Sequence, residues 1–299
     1  MSSQAIQDFI FAMAAASDGP CFVARQTGLE VSHDQGQSWQ TAYRSLALEQ
    51  ALPTTAVAIS PAYQSDQTVF AGVHGNLLRS QDGGQTWQFS PLPAPPPAIV
   101  SIVFSPDYAT DDTLFAATLE DGVLRSSNRG ASWNAWNFGL LDSHIHCLLV
   151  SPAFAQDDTL WVGTESGIFA SHNRGRGWRE LPFPMDQAPV LSLTLVSKAR
   201  RLITGTQEGL LFSEDQGQTW QPLQAPGLSG PVEQLLVIGS DLLALVDGRL
   251  WYSPDGGNTW SERPLGEAGL EILVLAAPQG LRPADPLWLG LADGRVVRR

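Results

Sequence analysis

Five short turns carry carboxylates at matching places along the chain: Glu120-Asp121-Gly122, Glu165-Ser166-Gly167, Glu208-Gly209, Asp247-Gly248 and Asp293-Gly294. Two carboxylates held roughly 5–10 Å apart can cleave a glycosidic bond. A ring of carboxylates can instead steer a cationic group or a basic partner. Asp-Gly is also ordinary hairpin chemistry, so Glu120, Asp121, Glu165, Glu208, Asp247 and Asp293 carry a structural reading beside the functional one. The two earlier turns, Gln26-Thr27 and His74-Gly75, lack an acid. His144 and His146 alternate on one predicted strand. A His-x-His pair is a common metal half-site, but no third ligand is evident, so neither a metal nor a cofactor is expected. The chain contains no nucleophile elbow, phosphate-binding loop, Cys/His cluster or dinucleotide fingerprint.

What must position these turns is a repeated eight-residue unit, cleanest at Ser80-Gln81-Asp82-Gly83-Gly84-Gln85-Thr86-Trp87 and present six times. Its third position is Asp34, Asp82, Asn128, Asn173, Asp215 or Asp255. Its last is Trp39, Trp87, Trp133, Trp178, Trp220 or Trp260. The fifth is always glycine. The acid or amide accepts backbone N–H bonds in a turn, and the glycine supplies a positive φ. The seventh position is Ser or Thr except at Gly177, and its hydroxyl adds a local bond. The tryptophan packs a large apolar surface as it opens the next strand. The intervals between successive tryptophans shorten from 48 residues (Trp39 to Trp87) to 40 (Trp220 to Trp260). A period in the forties with several short strands per period indicates a β-propeller.

These residues resemble the Asp-box, or BNR, repeat, found in sialidases, xyloglucan-active glycosidases, sortilin-type receptors and photosystem II assembly factors of the Ycf48 type. The resemblance implies a propeller over nearly the whole chain, and activities as varied as glycoside hydrolysis and protein binding. A sialidase would need converging arginines, a tyrosine nucleophile and an acidic proton donor. The early Arg-Ile-Pro signature of that family is absent; Tyr63 and Tyr108 are repeat plugs, Tyr252 lies on a third strand beside a repeat unit, and only Tyr43, next to Arg44, is free. The xyloglucan-active relatives form a cleft from two propellers, whereas this chain has one. The Ycf48-like factors are similar in size and single-propeller form, and hold a protein partner on one face.

The fold expected is all-β: a single seven-bladed propeller of four-stranded antiparallel blades spanning residues 1–299, with six blades as the alternative. Blade 1 is read as Phe9 to Ala16, Cys21 to Gln26, Gly28 to Ser32 and Ser38 to Arg44. The last blade, 270–299, has three strands of its own and is closed by residues 2–6, which would remove an exposed sheet edge. A second motif links first to second strands: Ser60-Pro61-Ala62-Tyr63, Ser105-Pro106-Asp107-Tyr108 and Ser151-Pro152-Ala153-Phe154. Each delivers an aromatic plug and an acid (Asp66, Asp111 or Asp112, Asp157 or Asp158). The acids are read as turn-stabilising, with calcium binding as the alternative. Blades 5 and 6 shorten this link.

Loops of a propeller fall on two faces. The eight-residue turns and the Ser-Pro loops share one; the acidic turns share the other with the blade-to-blade linkers. Those linkers carry Tyr43, Trp136, Phe138, Leu140, Phe183 and Met185, and exposed aromatics and methionine mark binding surfaces. The partner face expected is this set together with the six carboxylates. The leading function is a non-catalytic protein-binding scaffold, its partner another protein, basic in character. The alternative is a glycan-binding protein or glycoside hydrolase. A monomeric propeller within a complex is expected.

The 30 acidic against 17 basic residues give a formal net charge of −13. Such a surface repels phosphate backbones, so no nucleic-acid partner is expected. Cys21 and Cys147 fall about three blades apart and should stay unpaired, consistent with a reducing compartment. The apolar run from Ile10 to Ser17 lacks a basic segment before it and follows Asp8, so it is read as a strand rather than a leader. A cytoplasmic location is the expectation, with no run long enough to span a membrane.

Overall fold

The computed structural model describes residues 8–185, 188–198, 200–223, 227–265 and 270–299. They form seven antiparallel sheets in chain order. The first strands of the blades are Ile10–Ala15, Thr54–Ile59, Ile99–Phe104, Ile145–Val150, Val190–Val196, Val232–Ile238 and Ile272–Ala276. Each touches the first strand of the next blade, and the seventh touches the first, so the ring closes around these strands. Seven blades, not six, are therefore present. Six sheets have four strands; among the described residues the seventh has three, Ile272–Ala276, Trp288–Leu291 and Val296–Arg298. The strand expected from residues 2–6 lies outside the described residues. No helix of the described residues is long and apolar enough to cross a membrane.

The fourth strands are shorter than expected. The stretch read as one strand from Ser38 to Arg44 is a two-residue strand, Gln40–Thr41, followed by a 3-10 helix, Ala42–Leu46. Packing decides this: the helix turns Tyr43 inward, edge-on to Trp87 at 5.4 Å between ring centroids.

The eight-residue unit closes on itself as its residue types demand. Ser80 Oγ donates to Asp82 Oδ1 at 2.8 Å, and the amide of Gly84 donates to Ser80 Oγ at 2.8 Å. The amide and hydroxyl of Thr86 donate to the two oxygens of the same carboxylate, at 2.9 and 2.5 Å. In blade 3, Asn128 takes over with its amide, accepting from the Ser132 amide at 3.0 Å and donating to Ser132 Oγ at 2.9 Å. The glycine is required twice over at Gly130. Its φ is +80°, and a Cβ there would overlap the Phe70 ring of the preceding blade. The core accordingly lies between blades, where the tryptophans meet the second strand of the blade before: Phe22 with Trp87 at 6.4 Å and Phe70 with Trp133 at 6.2 Å, both edge to face.

The Ser-Pro loops each form one helical turn, Tyr63–Asp66, Tyr108–Asp111 and Phe154–Asp157. Ser60 Oγ and the Thr68 amide donate to Asp66 at 2.6 and 2.9 Å, with the same pattern at Asp111 and Asp157. The acids thus bind their own loops, and the aromatic rings are buried. Cys21 and Cys147 are both free thiols.

Candidate functional site: the channel mouth on the linker face

Each first strand enters the ring at the linker face, and each begins with a β-bulge against the second strand. A bulge places one extra residue outside the ladder and re-aims its side chain. The extra residues are Phe11, Thr55, Val100, His146, Leu191, Glu233 and Leu273, one per blade. Each follows a buried residue and is itself at least partly open to solvent. The innermost strands line the channel, so these seven residues stand around its linker-face mouth; the Thr55 hydroxyl bonds to the Ile99 carbonyl of the next blade at 2.6 Å, and Val100 packs against the core between blades 3 and 4. Five are apolar or carry a methyl group; Phe11 and Leu273 are 43% and 38% exposed.

The acidic turns stand around this ring; in three of them a threonine hydroxyl donates to the turn glycine carbonyl, Thr118 to Gly122 at 2.8 Å, Thr164 to Gly167 at 3.1 Å and Thr206 to Gly209 at 3.0 Å, and further contacts differ from turn to turn. His146 Nε2 lies 2.7 Å from Glu165 Oε2, tying the bulge of blade 4 to its own second turn. Asp142 in the preceding linker accepts from the Ser166 amide at 2.8 Å and the His144 amide at 3.0 Å. Burial opposes the charge on Asp142, yet these bonds prevail and hold its carboxyl at about 2. Asn137 cradles the blade 3 turn, accepting from the Val123 amide at 2.9 Å and donating to the Asp121 carbonyl at 2.8 Å. Arg25 donates to the Gly294 carbonyl at 2.7 Å and so joins blade 1 to the last turn. Asp293 is lowered by hydrogen bonds from the Arg295 amide and guanidinium. Asp247 sits at a φ of +48° and bonds back to Pro231 through its amide at 3.0 Å. The carboxyl of Glu233 is raised, first by desolvation and further by the charge of Asp247. Glu120, Asp121, Glu165 and Glu208 are solvent-exposed.

The apolar linker residues divide. Tyr43 is buried, its hydroxyl 2.9 Å from Thr54 Oγ1, so it offers no contact surface. Trp136 packs against the guanidinium groups of Arg125 and Arg176, at 4.5 and 5.4 Å from its ring centre. Phe183 packs edge-on to Trp220 at 5.6 Å, Leu140 leans on the core between blades 3 and 4, and Met185 is half-buried. Phe138 is 85% exposed and its neighbour Leu141 82%. Phe138 belongs to the outer edge rather than the mouth, because its carbonyl accepts from the Trp178 amide of blade 4 at 2.8 Å. Sequence reasoning gathers this loop and the carboxylates into one surface; the loop meets the blade 3 turn through Asn137, while Phe138 sits beside the outer strand of blade 4. That reasoning missed the bulge ring, apart from noting His146. The signal was present: in six first strands the buried apolar residues fall three apart at the start, as Ile10 and Met13 or Val232 and Leu235 do, instead of two. Among the described residues no three potential metal ligands converge.

Solved structures share this architecture. An ancestral GH74 enzyme superposes with a TM-score of 0.76 at 18% identity, over 97% of this chain and 44% of that one. The extracellular domain of BT4673 from B. thetaiotaomicron gives 0.72 at 16%, over 99% and 38%. Ycf48 bound to D1 peptide gives 0.70 at 17%, over 98% and 93%. The likeness is one of fold. No family model matches the chain, and no curated protein matches its sequence. This chain spans less than half the length of the GH74 and BT4673 chains, and nearly all of Ycf48.

Proposed function

We propose that the protein is a non-catalytic scaffold that holds a basic segment of a partner protein at the channel mouth. The observation that carries this is the ring of bulged residues, largely apolar, set inside exposed carboxylates. An apolar centre with a charged rim is the anatomy of a protein-binding surface. The turns support it too, since Glu165 and Asp293 are engaged by His146 and Arg295 rather than poised for chemistry. Ycf48, a propeller of similar length, was solved with a peptide bound. The eight-residue unit is read as an Asp box, whose bonds serve the fold and leave recognition to other loops.

Glycoside hydrolysis is the second reading, and Glu233 favours it. A carboxyl raised by desolvation beside a second carboxylate, Asp247, is the arrangement of a general acid with its partner. Two experiments separate the readings. Affinity capture from native lysate should recover a partner with the wild-type chain and lose it with Leu191→Asp/Leu273→Asp; equal recovery sinks the scaffold at this mouth. Turnover on a panel of aryl glycosides and polysaccharides, abolished by Glu233→Gln, would establish the enzyme instead.

A further inference from the structure

On the face opposite the channel mouth, each gap between neighbouring blades needs a filler above the second-strand residue that floors it. The Ser-Pro loops supply it three times: Tyr63 between blades 1 and 2, Tyr108 against Phe70 and Phe104 between 2 and 3, and Phe154 against Phe115 at 5.7 Å between 3 and 4. Between blades 5 and 6, Arg201 lies over Phe212 at 4.7 Å and is tied to Glu214 and Asn258. Between 6 and 7 the filler is the buried Leu281, with Arg263 bonded to its carbonyl. Between 7 and 1, Arg298 lies over Trp288 at 5.8 Å.

The gap between blades 4 and 5 has no such filler. Blade 5 replaces the Ser-Pro loop with a short link in which the Arg200 amide donates to the Ser197 carbonyl at 3.2 Å, and a cleft of about 530 Å³ remains, lined by Pro152, Ala153, Asp157, Trp161, Leu195 and Arg200 among others; Asp157 is bonded to Ser151 and Thr159 of its own loop. This is within the ~300–1,000 Å³ of ligand sites. Trp161 occupies the place in the ladder that Phe115 holds one blade earlier, and Ala170 the place of Arg125, so a long side chain is missing as well. The Trp161 indole N–H is buried and has no hydrogen-bond partner among the described residues. A buried donor without an acceptor is costly, and an occupant carrying an oxygen would relieve it.

Charge narrows the occupant. In a chain of net charge −13, residues 174–201 hold six bases (Arg174, Arg176, Arg179, Lys198, Arg200, Arg201) against two acids (Glu180, Asp186). Lys198 and Arg200 are exposed, and neither has an ion-pair partner among the described residues. In blades 3 and 4 the acid that follows the plug pairs with an arginine, Asp112 with Arg129 at 2.5 Å and Asp158 with Arg174 at 2.6 Å.

We infer that the cleft between blades 4 and 5 receives an aromatic side chain from an acidic peptide segment of a partner protein, completing in trans the plug that blade 5 lacks. The aromatic ring lies on Trp161 and Leu195, an oxygen of the occupant accepts from the Trp161 N–H, and the following carboxylates meet Arg200 and Lys198. The chemistry is that of the chain's own loop, Tyr108-Ala109-Thr110-Asp111-Asp112.

The probe is therefore a capped peptide of residues 105–113, Ser-Pro-Asp-Tyr-Ala-Thr-Asp-Asp-Thr, added to the intact protein. The readout is the ¹⁵N indole resonance of Trp161, assigned by its loss in Trp161→Phe. It should move saturably. Peptides with tyrosine replaced by alanine, or the paired aspartates by asparagine, should bind at least tenfold more weakly, and Arg200→Gln should weaken the parent peptide at least threefold. Leu195→Trp, which fills the cleft, should abolish the shift, with circular dichroism confirming its fold. An unmoved Trp161 resonance at millimolar peptide, or equal binding of the control peptides or of Arg200→Gln, overturns the assignment. So does a Trp161 shift that tracks self-association in sedimentation, which would give the cleft to a second copy of this chain.

Discussion

Trp178 Nε1 donates at 2.8 Å to the carbonyl of Trp136, whereas Trp87, Trp220 and Trp260 donate to the glycine carbonyl of their own turn. Trp133 donates instead to Ser90 Oγ at 2.8 Å, and Trp178 fastens the linker between blades 3 and 4, on which Phe138 and Leu141 are exposed. Trp178→Phe keeps most of the ring's packing and removes this bond. It should cost about 1 kcal/mol in denaturant unfolding and speed amide exchange at residues 137–141. Unchanged exchange there would show the bond to be idle.

The repeat aspartates give the fold an acid limit. Hydrogen bonds from the Ser38 hydroxyl and amide hold the Asp34 carboxyl at about 2, and those from Thr219 do the same for Asp215. Asp82 and Asp255 are lowered too, the bonds from Thr86 and Thr259 outweighing desolvation. A depressed carboxyl stabilises fully above its unfolded value of about 3.9, and that contribution is lost as pH falls through the folded value. Melting temperature should therefore drop between pH 4 and 2. Asp215→Asn should lower the melt at pH 7 and make its decline toward pH 2 shallower; a parallel decline would count against this account.

Glu233 behaves in the opposite sense. Its carboxyl is raised, so the folded state disfavours its charge, a penalty absent below the unfolded pKa and complete above the folded one. Glu233→Gln should raise the melting temperature at pH 7 and leave it unchanged at pH 3. A loss of stability at pH 7 would mean that the carboxylate makes a favourable contact.

Burial pushes both thiols up to about 12. The thiolate is the reactive form, so the buried Cys21 should not react with a disulfide reagent in the native state and the half-buried Cys147 only slowly, whereas both should react readily in denaturant. Rapid native labelling would contradict the packing around either one.

The plug rings should dominate the stability of the gaps they fill. Phe154→Ala removes a fully buried ring and should cost about 3–5 kcal/mol in chemical unfolding. A loss below about 1 kcal/mol would mean that the gap between blades 3 and 4 collapses without its plug, and would weaken the comparison with the gap between blades 4 and 5.

The blade count and the plug loops were legible because the turn chemistry is written in fixed residue types. Ser80, Asp82, Gly84 and Thr86 each satisfy a local bond, so their spacing betrays the turn wherever it recurs. The fate of the linker aromatics was not legible. Whether Tyr43 turns inward or Phe138 outward depends on which ring of the next blade lies nearby, a contact between segments that spacing does not encode. The unfilled gap between blades 4 and 5 is half visible: the link of blade 5 is short in the sequence, but the space it leaves exists only once Trp161 and Leu195 line the same cleft.

A residue that stands outside a ladder has no pairing duty. The seven bulged positions can therefore exchange side chains while every blade keeps its register. Phe11, His146 and Glu233 show how different such side chains can be on one wheel. The entrance to the pore is thus the part of the molecule most free to acquire a new specificity without unsettling the frame that carries it.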